Sequence, residues 1–390
     1  MILSKRMYGF IGASLSLLLL FSASASPIPL YGHYAELLGM DKGALSLTSV
    51  MYFVGTLIAL VFFGRLSNHW GRKRTIYMTL ALGIAGCMLF IFASSTFMVM
   101  LGRFVQGISC GMASNTVMAY VVDTEPQGSG FGAAVAGAGP NLGLSIGAVG
   151  TGICSYFGSQ SFVFELSIVL LLLCSLFICK GNETIALRAG ALKSLCPVIT
   201  VPDNIKRMLI PAGCTFFAGW SVGGFYQSYS AGIAAQIFGL SDTAVASLVF
   251  VSFIAPVSLG VALGKKLPAD KAQPYGITSF VISLVLLYAS LFSGSIIVFF
   301  AVNVLAGITQ GIMFIGSMAS ILNITTIENR AGVLSVIYIM SYCGAAVPNL
   351  VVSKVAYLFD LIELTLGYVI LGGICWIVLF GYKYLNKKSA

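Results

Sequence analysis

The sequence predicts an all-α polytopic membrane protein, with 12 transmembrane helices in two pseudo-symmetric six-helix bundles. Three observations predict it. The 390 residues are 58% hydrophobic and only 8% charged, whereas a soluble domain carries about 25% charged residues. Mean hydropathy is +0.98. The chain also repeats itself. Arg103-Phe104-Val105-Gln106-Gly107 is echoed by Gly307-Ile308-Thr309-Gln310-Gly311, and Pro140-Asn141-Leu142 by Pro348-Asn349-Leu350. The offset is 204 residues from Gln106 to Gln310 and 208 from Pro140 to Pro348. Matched order and spacing of this kind mark two homologous halves of one membrane bundle.

A spanning helix needs about 20 apolar residues, so twelve consume about 240 and leave only short loops. No room remains for a soluble catalytic domain. Spans 1 to 6 are expected near 8–30, 44–66, 74–93, 97–121, 130–153 and 161–180. Spans 7 to 12 are expected near 207–232, 243–264, 273–292, 296–322, 331–353 and 362–384. Residues 1–180 form the first bundle, 181–206 a cytoplasmic linker and 207–390 the second bundle. The linker carries Glu183, Arg188, Lys193, Asp203 and Lys206 and reads as a plain solvated connector.

Charge sets the orientation. With the N-terminus inside, all 21 Lys and Arg fall on the inner side except Lys42, Lys354 and Arg103. This is the positive-inside bias, and it places both termini in the cytoplasm. The net charge of +9 is then an orientation signal and a contact with anionic lipid heads, not a nucleic-acid footprint. Lys5-Arg6, an apolar run and Ala23-Ser24-Ala25 also resemble a cleavable signal peptide. Its removal would leave eleven spans and break the repeat. The nine cysteines form no Cys-x-x-Cys pair, and His33 and His69 lie far apart, so neither a metal site nor a disulfide framework is expected.

Between spans 2 and 3 lies Gly64-Arg65-Leu66-Ser67-Asn68-His69-Trp70-Gly71-Arg72-Lys73-Arg74. It resembles the major facilitator superfamily signature G-x-L-x-D-x-x-G-R-[KR]-[KR]. Glycines allow a tight turn and close helix ends, and the basic cluster pins the loop at the headgroup layer. The resemblance implies a conformational latch built from Gly64, Asn68, Gly71, Arg72 and Lys73, with Asp123 as a carboxylate partner for Arg72. Asn68 stands where the family has an acid, and an amide can cap a helix end but cannot ionise. A worn copy, Gly264-Lys265-Lys266-Leu267-Pro268-Ala269-Asp270, recurs in the second half.

Span 4 carries Arg103-Phe104-Val105-Gln106-Gly107, similar to the superfamily's R-x-x-Q-G motif. A buried arginine costs about 2.5–3.5 kcal/mol on insertion scales and belongs in a polar interior. The resemblance implies a role in proton coupling. Arginine stays protonated, so it would tune a neighbour or hold an anion. Span 5 carries Gly139, Pro140, Gly143 and Gly147, similar to the antiporter signature G-x-x-x-G-P-x-x-G-G, with Val135 and Leu144 at two of its glycine positions. The glycines form a stripe for close helix packing, and Pro140 removes a helix hydrogen bond. Span 1 ends in Pro27-Ile28-Pro29, a loose likeness to drug exporters.

Within the bilayer only Arg103 and Glu165 are ionisable, so Glu165, at the outer start of span 6, is the buried carboxylate offered for proton coupling. Drug exporters often carry an acid in helix 1, and this span 1 has none. In this fold the cavity is lined by helices 1, 4, 7 and 10. Its candidates here are Asn115, Trp220, Tyr226, Tyr229, Gln227, Asn303 and Gln310, uncharged and partly aromatic, which suits neutral or amphipathic solutes.

The resemblance therefore implies a secondary transporter like the 12-helix drug:proton antiporters, exporting a small solute by alternating access across a prokaryotic plasma membrane as a monomer. Its partners would be a small-molecule substrate, protons and the lipid bilayer, with no cofactor. An uptake symporter for a metabolite, and a receptor or lipid-handling protein without transport, are the alternatives. An enzyme is not expected, since no nucleophile–base pair, metal set or phosphate loop is present.

Overall fold

Helix after helix follows from the apolar runs. A computed structural model describes residues 4–126, 129–196, 203–325 and 330–388. Glu328 lies outside the described residues, as do the side chains of Asp203, Lys206, Arg330, Lys387 and Lys388. Among the described residues there is no strand, and 12 helices are long and apolar enough to cross a membrane. Spans 1 to 6 are Lys5–Ala25, Lys42–Phe63, Arg72–Ile91, Thr96–Thr124, Phe131–Cys154 and Phe162–Lys180. Spans 7 to 12 are Arg207–Ile237, Thr243–Gly264, Asp270–Ser290, Ile296–Leu322, Gly332–Leu358 and Leu361–Leu385.

Local chemistry sets the ends. Ser4, Ser95, Asp242 and Ser295 cap spans 1, 4, 8 and 10, each side chain accepting a first-turn N–H, the bond a helix start otherwise lacks. Span 1 stops at Ala25 rather than near residue 30. Pro27 and Pro29 have no N–H to continue the ladder, and a short helix, Tyr31–Leu38, follows where a loop was expected. Span 4 is interrupted by a π-helical turn, Ala113–Val117.

The chain divides into two compact units. The first holds residues 1–40 and 51–197, and the second 41–50 and 198–390. Thus residues 41–50 of span 2 group with the second unit, and 181–197 of the expected linker with the first. Inside the first unit, span 1 packs on spans 5 and 6, and span 3 on spans 4 and 6. Inside the second, span 7 packs on spans 11 and 12, and span 9 on spans 10 and 12. The pairings match one for one after a shift of six spans, so the repeat seen in the sequence is also a repeat of packing.

Candidate functional site

The break at the end of span 1 creates the acceptors for span 4. In a continuous helix the N–H of residue 27 would bond the carbonyl of Ala23, but Pro27 has none. The N–H of Ile28 turns instead to Ala25 O (3.0 Å), which releases the carbonyl of Ser24. Both carbonyls sit at the electronegative end of span 1. Gln106 Nε2 donates to Ala23 O (2.8 Å), and the Arg103 guanidinium donates to Ser24 O.

Arg103 is fully buried, at 0% exposure. It also donates to Gln106 Oε1 (3.1 Å), and its guanidinium carbon lies 4.4 Å from the Tyr52 ring centroid. A charge-assisted bond to a carbonyl and a desolvated cation–π contact are both stronger than their exposed counterparts. They offset the cost of burying the charge. Gly107 brings span 2 close enough for this, since a Cβ there would lie 2.1 Å from Tyr52 O. Every named position of the R-x-x-Q-G motif therefore has a physical task.

The second unit repeats the frame without the charge. Gln310 Nε2 donates to Gly219 O on span 7 (3.0 Å), as Gln106 donates to span 1. A Cβ on Gly311 would lie 2.2 Å from Val257 O, and one on Gly307 2.2 Å from Phe253 O. Gly307 occupies the place of Arg103.

The loop 64–74 is the second feature. Gly71 has φ +105°, a left-handed value that favours glycine, and a Cβ there would meet Glu183 Oε2 at 2.9 Å. The Glu183 carboxylate accepts from the N–H of Arg72 (3.0 Å) and of Lys73 (3.1 Å), capping span 3 where the helix end favours negative charge. Arg72 Nε donates to Asp123 Oδ2 (3.2 Å) and its Nη1 to Ser67 Oγ (2.7 Å). Lys73 Nζ donates to the carbonyls of Cys179 (2.9 Å) and Gly181 (2.7 Å). Arg65 reaches Cys196 O (2.7 Å), and His69 Nδ1 donates to Ala189 O (3.0 Å).

Two expectations change here. The cap on this helix end is Glu183, while Asn68 is exposed and its side-chain amide makes no hydrogen bond among the described residues. Residues 181–196 are no plain connector, because they are bonded along the loop. Glu183 was missed as a site residue. It is the first acid after span 6, and that position was the available signal.

Gly139, Gly143 and Gly147 face span 1 and Pro140 lies within span 5. A Cβ on Gly147 would lie 2.0 Å from Ser22 O and one on Gly143 2.6 Å from Leu18 O. Glu165 is exposed in the first turn of span 6 and accepts from Ser161 Oγ (3.1 Å). The expectation of a buried carboxylate there is corrected: Ser161 holds it near the helix start, apart from the Arg103 cluster.

The cavity candidates separate. Tyr226 Oη donates to Asn303 Oδ1 (2.5 Å), and Asn303 Nδ2 donates to Val249 O (3.1 Å) and Ser252 Oγ (2.7 Å). These two are spent on holding spans 7, 8 and 10 together. Tyr229 Oη donates to Lys42 O (2.8 Å), and Gln227 is buried. Asn115 lies in the π-turn of span 4, its Nδ2 close to Gly64. Trp220 meets the edge of Tyr342 at 4.7 Å. Gln310 Oε1 is buried and accepts no hydrogen bond among the described residues. No group of three or more metal-ligating side chains occurs among the described residues.

Residues 13–191 match the Major Facilitator Superfamily. An uncharacterized transporter of Rickettsia felis is 32% identical over 129 residues, 32% of this chain and 31% of that protein. Sugar transporter ERD6-like 6 of Arabidopsis thaliana is 27% identical over 90 residues, 23% of this chain and 18% of that one. H(+)/hexose cotransporter 1 of Parachlorella kessleri is 29% identical over 86 residues, 22% of this chain and 16% of that one. The chain thus spans less than a third of the length of these relatives. The similarity to the Major Facilitator Superfamily thus lies over residues 13–191, less than half of the chain.

Proposed function

We propose that the chain is a secondary active transporter that exports a small neutral or amphipathic solute from the cytoplasm by alternating access, in exchange for protons. One observation carries the reading. The Arg103 guanidinium is buried in span 4 on the Ser24 carbonyl, which the Pro27 break frees, and its counterpart in the repeat is Gly307. Burying an arginine is costly, and a charge kept inside a membrane bundle is a mark of function. The part of Arg103 is to hold the end of span 1 and set the field felt by a titrating partner. Gln310, with an unspent buried acceptor beside span 7, and Trp220 are the favoured solute contacts. They offer a neutral hydrogen bond and an aromatic face.

A second reading is proton-coupled uptake of a small polar metabolite. The likeness to a sugar transporter and an H(+)/hexose cotransporter favours it. So does the absence of an acidic residue in span 1.

The test is proton movement in energised inside-out vesicles, followed with a pH-sensitive dye while solutes are added. Export predicts loss of the acid interior on adding a substrate, and no such loss with Arg103→Ala. Uptake predicts no response from that side and accumulation of labelled hexose in intact cells. A full response in Arg103→Ala vesicles would remove Arg103 from the coupling and sink the first reading.

A further inference from the structure

A cavity of about 330 Å³ opens on the first unit between spans 1, 5 and 6. Its walls include Leu15, Leu18 and Leu19 of span 1, Ile146 of span 5, and Leu173 and Phe177 of span 6. No charged side chain lines it. Leu15, Ile146 and Leu173 are 40%, 54% and 48% exposed, so the groove lies open along its side.

One end of the groove carries charge. The Phe177 ring lies 6.1 Å from the ring of Tyr8, and Lys180 Nζ lies 5.3 Å from that same Tyr8 ring. Lys5 and Arg6 begin span 1 one turn earlier. Lys5, Arg6 and Lys180 are exposed and make no ion pair among the described residues. Three carboxylates near this end of the unit are engaged: Glu183 with the N–H groups of Arg72 and Lys73, Asp123 with Arg72, and Glu125 with the N–H of Gly132. Uncompensated positive charge therefore stands where the hydrocarbon-lined groove ends.

We propose that this groove holds an acyl chain of an anionic phospholipid taken from the bilayer, with its phosphate against Lys180, Lys5 and Arg6. The length agrees. The lined stretch of span 1, from Leu15 to Ser22, rises about 10 Å, room for the outer part of one long acyl chain, and Gly9, nearer the start of span 1, contacts Gly181 beside Lys180. A solute site would need polar groups to orient its ligand, whereas this lining offers hydrocarbon along its length and cations at one end. That is the pattern of a charged lipid, and basic pockets between membrane helices bind anionic headgroups. The assignment does not rest on transport, and its test reads binding alone.

The experiment is native mass spectrometry of the detergent-purified full chain, titrated with phosphatidylglycerol, with phosphatidylcholine of identical acyl chains, or with glycerol 3-phosphate. One phosphatidylglycerol should be retained at least tenfold better than phosphatidylcholine, and glycerol 3-phosphate should not compete. Leu173→Trp, which fills the groove, should cut retention of both lipids. The triple variant Lys5→Gln, Arg6→Gln and Lys180→Gln should bring phosphatidylglycerol down to the level of phosphatidylcholine. Ile297→Trp, on an exposed face of span 10, should change nothing and controls for folding. Equal retention of the two lipids, undiminished binding in folded Leu173→Trp, or competition by glycerol 3-phosphate alone would each overturn the proposal.

Discussion

Span 4 and span 10 are the same device built twice, and only one copy is charged. Gln106 donates to a carbonyl of span 1 and Gln310 to a carbonyl of span 7. Gly107 and Gly311 each admit a neighbouring backbone at close range. These shared features hold helices together. What differs is Arg103 against Gly307, together with the Pro27 break that frees the carbonyls Arg103 and Gln106 use. The glutamine and glycine positions therefore report on packing, and the arginine reports on something the second copy does without. Replacing Arg103 by Ala is the strongest way to test that division. It leaves the Ser24 carbonyl and Gln106 Oε1 without this donor, and each buried acceptor left unsatisfied costs about 1–3 kcal/mol. Solute-dependent proton movement should fall at least about 100-fold, which corresponds to about 3 kcal/mol, while membrane insertion and the elution profile stay unchanged. Arg103→Lys should recover little, because an ammonium lacks the planar fork. A Lys variant with full activity would show that only charge is needed.

The glycine stripe of span 5 comes next. Gly147→Ala would place a Cβ 2.0 Å from Ser22 O, whereas a Cβ on Gly150, three residues later, would meet nothing within 4 Å. Overpacking of this kind costs about 1–3 kcal/mol or more. Gly147→Ala should lower the melting temperature of the purified protein sharply and Gly150→Ala should not. Similar melting of the two would mean that span 5 does not ride on the backbone of span 1.

The glutamines sharpen the comparison further. Gln106→Ala leaves the Ala23 carbonyl unpaired, because Pro27 offers it no N–H, a loss of about 1–3 kcal/mol. The Gly219 carbonyl lies within the helix Asp203–Gly232 and keeps its main-chain bond, so Gln310→Ala should melt later than Gln106→Ala. Only Gln106→Ala should also depress proton movement, because Gln106 touches Arg103 (3.1 Å). Gln310→Ala should instead raise the solute concentration needed for half-maximal flux. Equal effects on both readouts would erase the functional distinction between the halves.

The twelve spans were legible because each is a long apolar run; the units divide differently from the expected 1–180, 181–206 and 207–390, with residues 41–50 grouped in the second and 181–197 in the first. The Arg103 site was half legible. Its arginine is visible in any hydropathy reading, but its acceptors are main-chain carbonyls, and these surface only when Pro27 is read as a missing donor to Ala23. Tyr226 and Asn303 look like cavity walls by residue type, yet they bond each other. Side-chain identity cannot say whether a polar group is already spent. Glu165 failed for the opposite reason. Its place in an apolar stretch suggested burial, and it lies in the exposed first turn.

The smallest expected effect belongs to the loop 64–74, where sequence and geometry pull apart. The signature's acidic position is Asn68, and the carboxylates that meet the loop come from elsewhere, Asp123 and Glu183. If Glu183 supplies the helix cap, Glu183→Gln keeps one acceptor but loses the charge that favours the N-terminus of span 3. A cap change of this kind is worth about 1 kcal/mol. The melting temperature should drop slightly, and Arg72→Ala added to Glu183→Gln should cost less than the sum of the two, since both bind one turn. Asn68→Asp, which restores the signature, should leave stability almost unchanged, because the Asn68 side-chain amide makes no hydrogen bond among the described residues. Should Asn68→Asp stabilise the protein while Glu183→Gln does nothing, the cap would have to be reassigned to position 68. The segment after span 6 would then still be tied to the loop, through the carbonyls of Gly181, Ala189 and Cys196.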